Sequence, residues 1–257
     1  MDLNLTGKSA LITGASKGIG FAIARSLAGE GCNVHLVARD KGELEAAQAA
    51  LKAQYPVSVD IHVLDISHPD TIPTLIERCS GVDILFNNAG GIPNGALNEI
   101  DEATWRRTWE TKVFGYVNMT RAFLAVMRAR GSGVIINIVG TAAEKVKEGY
   151  VAGSTGNAAL MAFSRAVGSV SLDYGVRVLA INPGLIKTER LQQRFEKMAK
   201  EEFGDSSRWP EVMARVPQIG EPQDIGDIAA FLASDRASFV TGVAVTVDGG
   251  AVARAPL

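Results

Sequence analysis

The chain predicts an α/β fold, a doubly wound parallel sheet between two layers of helices, as a single domain over residues 1–257. Three observations predict it. Short apolar runs alternate with helix-period segments along the sequence, and such alternation builds βαβ units whose crossover helices bury each strand on both faces. A glycine-rich turn joins the first apolar run to the first amphipathic segment. The composition, 47% hydrophobic and 21% charged, is that of a folded globular chain long enough to bury one large core.

The elements follow in order. "SALIT" leads into a helical segment at 18–29, and "NVHLV" into one at 41–53. "VSVDIHV" alternates strictly, setting Val57, Val59, Ile61 and Val63 against polar neighbours, which predicts a half-exposed strand near a sheet edge. "VDILF" precedes a long helical segment, 102–130, in which Trp105 and Trp109 share a face and read as core or subunit packing. "GVIINIV" leads to 153–173, and "VRVLAI" to 188–204. The less regular segment 188–218, rich in charge and carrying Pro210 and Pro217, follows a strand end and reads as a helical flap over a ligand crevice.

Several function classes drop out. A net charge of −2 supplies no field for nucleic acid or anionic lipid. No apolar stretch approaches the roughly 18 residues of a membrane span, and the start "MDLNLTGKSALITG" lacks a signal-sequence pattern, so a cytoplasmic protein is expected. Cys32 and Cys79 read as structural thiols. With His35, His62 and His68 on separate segments and no pair at ligand spacing, no metal is expected.

The strongest local signal is "TGASKGIG", which places Gly14, Gly18 and Gly20 between a strand and a helix. Glycine permits a tight turn and close backbone approach, and the helix start offers unpaired N–H groups and partial positive charge to a pyrophosphate. Together with "NNAG" (87–90), "NPGLIKT" (182–188) and the run 220–250 ending in "VDGG", it makes the chain resemble the short-chain dehydrogenase/reductase family over almost its whole length. The resemblance implies a Rossmann-like fold and a nicotinamide dinucleotide. It also implies contacts from Ser16, Lys17, Gly18 and Ile19 to phosphate and ribose, with Asp65 and Ile66 flanking adenine. Asn87, Ala89 and Gly90 would lie beneath the second ribose, while Pro183, Gly184, Ile186 and Thr188 would fix the carboxamide. A homotetramer or homodimer is the family expectation.

Charge selects the dinucleotide. An NAD site commonly places a carboxylate at the end of the second strand, to accept from the ribose 2′-OH and repel a 2′-phosphate. Here Ala38 falls at that position, followed by Arg39, and Lys17 stands in the glycine turn, so NADP(H) is expected over NAD(H).

The family's proton-handling residues are a tyrosine, a lysine four residues on, a serine and an asparagine. Setting "NAALMAF" in register puts Gly153 at the tyrosine position, 30 residues before Pro183 and 13 after Gly140, which takes the serine position. Asn157 then stands for the lysine and Lys112 for the asparagine. A competing register makes Tyr150 the tyrosine itself, with Ser154 for the lysine and "NAAL" out of step. In the first register an ammonium and an amide have exchanged walls, and a desolvated Lys112 could donate the proton. Tyr150, about one turn before Gly153, and Thr141, beside Gly140, are further candidates. The two glycines would leave space over the nicotinamide. Lys145 and Lys147, with Lys112, hint at an anionic small-molecule substrate. Two functions follow: an oxidoreductase on a carbonyl/alcohol pair with a rearranged site, or a catalytically silent dinucleotide-binding sensor or partner subunit.

Overall fold

Seven strands form one sheet in the order β3-β2-β1-β4-β5-β6-β7, with every neighbouring pair parallel. The computed structural model describes residues 1–254. In chain order the elements are β1 (Ser9–Thr13), α1 (Gly18–Gly29), β2 (Asn33–Ala38), α2 (Lys41–Lys52), β3 (Val59–Val63), α3 (Ile72–Cys79), β4 (Ile84–Asn87) and α4 (Glu102–Trp109). There follow α5 (Gly115–Arg130), β5 (Gly133–Ile138), α6 (Val151–Ser171), β6 (Val176–Pro183), α7 (Glu189–Phe203), α8 (Trp209–Met213), α9 (Pro222–Ala233) and β7 (Ala244–Val247).

Successive strand residues point to opposite faces, so one strand feeds two cores. Ile12, Leu36 and Phe86 pack toward α1, α2 and α9, while Leu11, Val37 and Leu85 pack toward α3 and α5. Helix starts are fixed by side chains the sequence supplies at the cap. Asp40 accepts from Glu43 N–H at 2.8 Å to open α2, Asp101 accepts from Thr104 N–H at 2.6 Å to open α4, and Thr188 accepts from Leu191 N–H at 3.3 Å to open α7.

Three expectations change in detail. The helix over 102–130 is broken by a π-helical turn, Glu110–Phe114, between α4 and α5. Strand β3 does lie at the sheet edge and is half exposed, but the alternation breaks at its end, where His62 is buried beneath α3 and Val63 is exposed. The segment 188–218 folds as α7, a 3₁₀ turn and α8 around a small core of its own, Leu191, Phe195, Ala199 and Val212.

The chain runs outward in both directions from the β1–β4 boundary. At that switch point the connections leave on opposite faces, opening a crevice at the carboxyl ends of the strands. Among the described residues, no helix is long and apolar enough to cross a membrane.

Candidate active site

The glycine turn forms the inner end of the crevice. Gly20 faces the Gly14 carbonyl so closely that any Cβ there would overlap it, which keeps α1 tight against the turn. Asn88 holds the same turn from β4, donating from Nδ2 to the carbonyls of Thr13 (3.0 Å) and Gly14 (3.1 Å), while Thr13 Oγ1 accepts from the N–H groups of Asn88 and Ala89. Lys17, at the N-cap of α1, makes no side-chain cap, so the first N–H groups of the helix stay open toward the crevice.

A cleft of about 680 Å³ extends from this turn across the ends of β4, β5 and β6. Ile19, Gly90, Pro183, Gly184, Ile186 and Thr188 line it. Asn87 does not: fully buried, its amide donates to Thr120 Oγ1 (3.0 Å) and Asn137 Oδ1 (2.9 Å) below the cleft floor. Ile66 is buried, and Asp65 turns toward Arg39, at 3.7 Å.

The π-helical turn carries Lys112 into the back wall. Its ammonium donates to the Ile138 carbonyl at 2.6 Å and to Tyr116 Oη at 2.9 Å, and Tyr116 donates to the same carbonyl at 3.1 Å. An ammonium has three protons, so one remains beyond these two bonds. Burial is the main cause, and nearby Arg190 a lesser one, of a Lys112 pKa brought down to about 7.

Tyr150 is the N-cap of α6 and so precedes the helix, yet its ring lies against Gly153. A Cβ at Gly153 would overlap the ring at Cζ. The tyrosine therefore fills the volume the glycine vacates, and the expected gap at that position is closed. At Gly140 the gap remains, with Asn157 Nδ2 3.5 Å from where a Cβ would stand. Asn157 is buried, lines the cleft, and its Oδ1 has no hydrogen-bond partner. Thr141 opens a 3₁₀ turn, Thr141–Ala143, on the same rim.

The residues present fit a dinucleotide. A glycine turn held open by Asn88, an uncapped helix start and a buried, unsatisfied Asn157 oxygen are what a pyrophosphate at one end and a ribose hydroxyl at the other would satisfy.

Two groups emerged that spacing alone hid. Glu43, in the first turn of α2, accepts from Ser16 Oγ at 2.9 Å and pairs with Lys17 at 2.8 Å, placing a carboxylate beside the glycine turn. His35, His62 and Cys79, assigned to separate elements, meet beneath α3: the two ring nitrogens lie 3.2 Å apart, with the thiol 3.5 and 3.7 Å away. Burial holds both imidazoles below their usual range and pushes the Cys79 thiol up to about 11. Register along one strand could not show a contact made across β2, β3 and α3.

Comparison with known proteins agrees with this architecture. The family model described as enoyl-(acyl carrier protein) reductase matches residues 14–252. The chain is 34% identical over 250 residues to 2-keto-3-deoxy-L-fuconate dehydrogenase of Xanthomonas campestris, covering 96% of this chain and 80% of that one. It is 31% identical to human dehydrogenase/reductase SDR family member 4, covering 97% of this chain and 89% of the relative. Among solved structures, L-sorbose reductase from Gluconobacter frateurii, complexed with NADPH and L-sorbose, superposes with a TM-score of 0.90 at 33% identity, over 99% of this chain and 100% of that one. Fold and site define a dinucleotide-type α/β protein with its cleft at the strand ends. The chain belongs to the short-chain dehydrogenase/reductase family.

Proposed function

We propose that the protein is an NADP(H)-dependent oxidoreductase acting on a carbonyl/alcohol pair, with Lys112 as its proton carrier in place of the family's tyrosine and lysine. When bound, the nicotinamide supplies or accepts the hydride at the reacting carbon. The residues then have to exclude water, orient the oxygen and move one proton to or from it. Lys112, desolvated at the back of the cleft with a pKa near 7, can be either acid or base at neutral pH, the condition for efficient proton transfer in both directions. Tyr150, held over Gly153, and Thr141 are placed to orient the oxygen, while Asn157 Oδ1 is available to a ribose hydroxyl.

The buried, pKa-lowered lysine inside the cleft carries this reading. NADP(H) is favoured because Arg39 is exposed at the end of β2 and Asp40, the other acid available there, is engaged in capping α2. The segment 188–218 would act as the substrate flap. Exposed Phe114, Val170 and Phe239 offer apolar surface that a homodimer or homotetramer would cover.

The test is turnover of a carbonyl and alcohol panel followed by nicotinamide absorbance, comparing wild type with Lys112→Ala. A drop of roughly 10²–10⁴ in kcat with dinucleotide affinity retained is expected. Turnover indifferent to Lys112→Ala removes the lysine from the chemistry. Firm dinucleotide binding without any turnover favours the silent, cofactor-sensing alternative.

A further inference from the structure

Six cationic side chains line the cleft: Lys112, Lys145, Lys147, Arg190, Arg194 and Arg254; among the described residues, no aspartate or glutamate lines it. In a chain of net charge −2 this is a local concentration of one sign. None of the six makes a salt bridge among the described residues, whereas Lys17, Lys187, Arg208 and Arg215 on neighbouring surfaces do. A solvated charged surface would interleave acids with bases; this wall does not.

The cations are also built in. Arg190 donates to the Ile92 carbonyl at 2.6 Å, and Lys145 to the Ala251 carbonyl at 3.2 Å. The loop bearing Lys147 is pinned from both sides, its N–H donating to Ser154 Oγ at 3.2 Å and Gly149 accepting from Gly95 N–H at 2.8 Å. Arg190 and Arg194 are four residues apart on α7 and so share a helix face. Lys147 is exposed on its loop, and partial desolvation, with repulsion from Arg194 and Lys145, lowers its pKa. Holding like charges together without a counterion is unfavourable in the free protein, and an anion binding there would relieve it.

Resting on the reading of this cleft as the active site, we propose that the substrate is a hydroxy or oxo acid, whose carboxylate is held by Lys147 and Arg194 while its reacting carbon lies against Lys112 and Tyr150. Arg190 lies near enough to Lys112 to disfavour its charge. Charge-assisted hydrogen bonds to a carboxylate then fix which end of the molecule enters first.

The experiment titrates a set of four- to seven-carbon hydroxy acids, each paired with its primary amide, into the protein saturated with NADP⁺, reading heat and nicotinamide absorbance. A separate titration measures NADP⁺ affinity itself. At least one acid should bind tenfold or more tighter than its amide, and the advantage should fall to within about threefold in the Lys147→Gln/Arg194→Gln double variant, with NADP⁺ affinity within twofold of wild type. Amides binding as well as acids, no acid binding, or an acid preference that survives the double variant would each overturn the proposal. So would a matching loss of NADP⁺ affinity, which would assign the cations to the cofactor. Failure of both NADP⁺ and NAD⁺ to bind wild type, with acids still bound preferentially, would instead overturn the oxidoreductase reading and leave the anion site standing.

Discussion

At the scale of single residues, the site turns on a lysine that the fold desolvates. Lys112 has a pKa of about 7 folded and 10.5 in water, so the unfolded chain binds more protons between those values and stability rises with pH across that window. At neutral pH the lysine is therefore a destabilising residue. Lys112→Met should abolish turnover yet raise Tm at pH 7 by a few degrees, on the order of 1 kcal/mol, measured by thermal unfolding. No polar group is orphaned by that change, because Tyr116 O–H goes on donating to the Ile138 carbonyl. In wild type the rate of carbonyl reduction should fall, and of alcohol oxidation rise, as pH passes through about 7. A pH profile flat across that point would exclude Lys112. Tyr150 gives a second residue-scale expectation. Gly153→Ala forces the ring out of the position it occupies, costing about 1–3 kcal/mol by overpacking, and should cut kcat more than Tyr150→Phe raises KM. Equal and negligible effects of both would show that the ring only covers surface.

At the scale of elements, the π-helical turn and the β2–β3–α3 packing matter most. Helix period alone reads 102–130 as one continuous helix, and it carries no sign of the extra residue per turn that sets Lys112 at the cleft. The same limit hid the histidine pair. His35 and His62 are neutral because burial outweighs the attraction of Asp60, and His35 and Arg78 add repulsion at His62. Their folded pKa values lie below the unfolded 6.5, so the unfolded state takes up more protons as pH drops through 6.5, and stability is lost in that range while unchanged above it. Denaturant unfolding at pH 7.5 and 5.5 should show this loss. In His62→Gln the difference should shrink, and an undiminished difference would place its origin elsewhere.

At the scale of the whole molecule, charge is unevenly distributed along the cleft. Beside the glycine turn the signs are mixed, Lys17 and Arg39 against Glu43, Glu189 and Asp65, whereas among the described residues the charged side chains that line the cleft are all cations. Discrimination between dinucleotides should therefore be a balance. Arg39→Asp is expected to weaken NADPH binding by roughly 10–100-fold, while Glu43→Gln, which removes one of the two carboxylates that pair with Lys17, should tighten it severalfold and leave NADH little changed. Fluorescence titration with both reduced dinucleotides measures this. Equal affinity for the two in wild type, unaltered by Arg39→Asp, would defeat the assignment to NADP(H).

The order of strands and helices, the glycine turn, the edge position of β3 and family membership were all present in the sequence, because each depends on local periodicity or on short contiguous motifs. So were the identities of Lys112, Tyr150, Asn157, Lys145 and Lys147 as residues to watch. Only the tertiary structure decided that Tyr150 covers Gly153, that Asn87 points away from the cleft, that Glu43 reaches Lys17, and that Arg190 and Arg194 join the loop lysines around one cavity. The reason is physical. Burial, pKa and uncompensated charge are set by what approaches from other elements, and a chain read residue by residue contains the groups but not the distances between them.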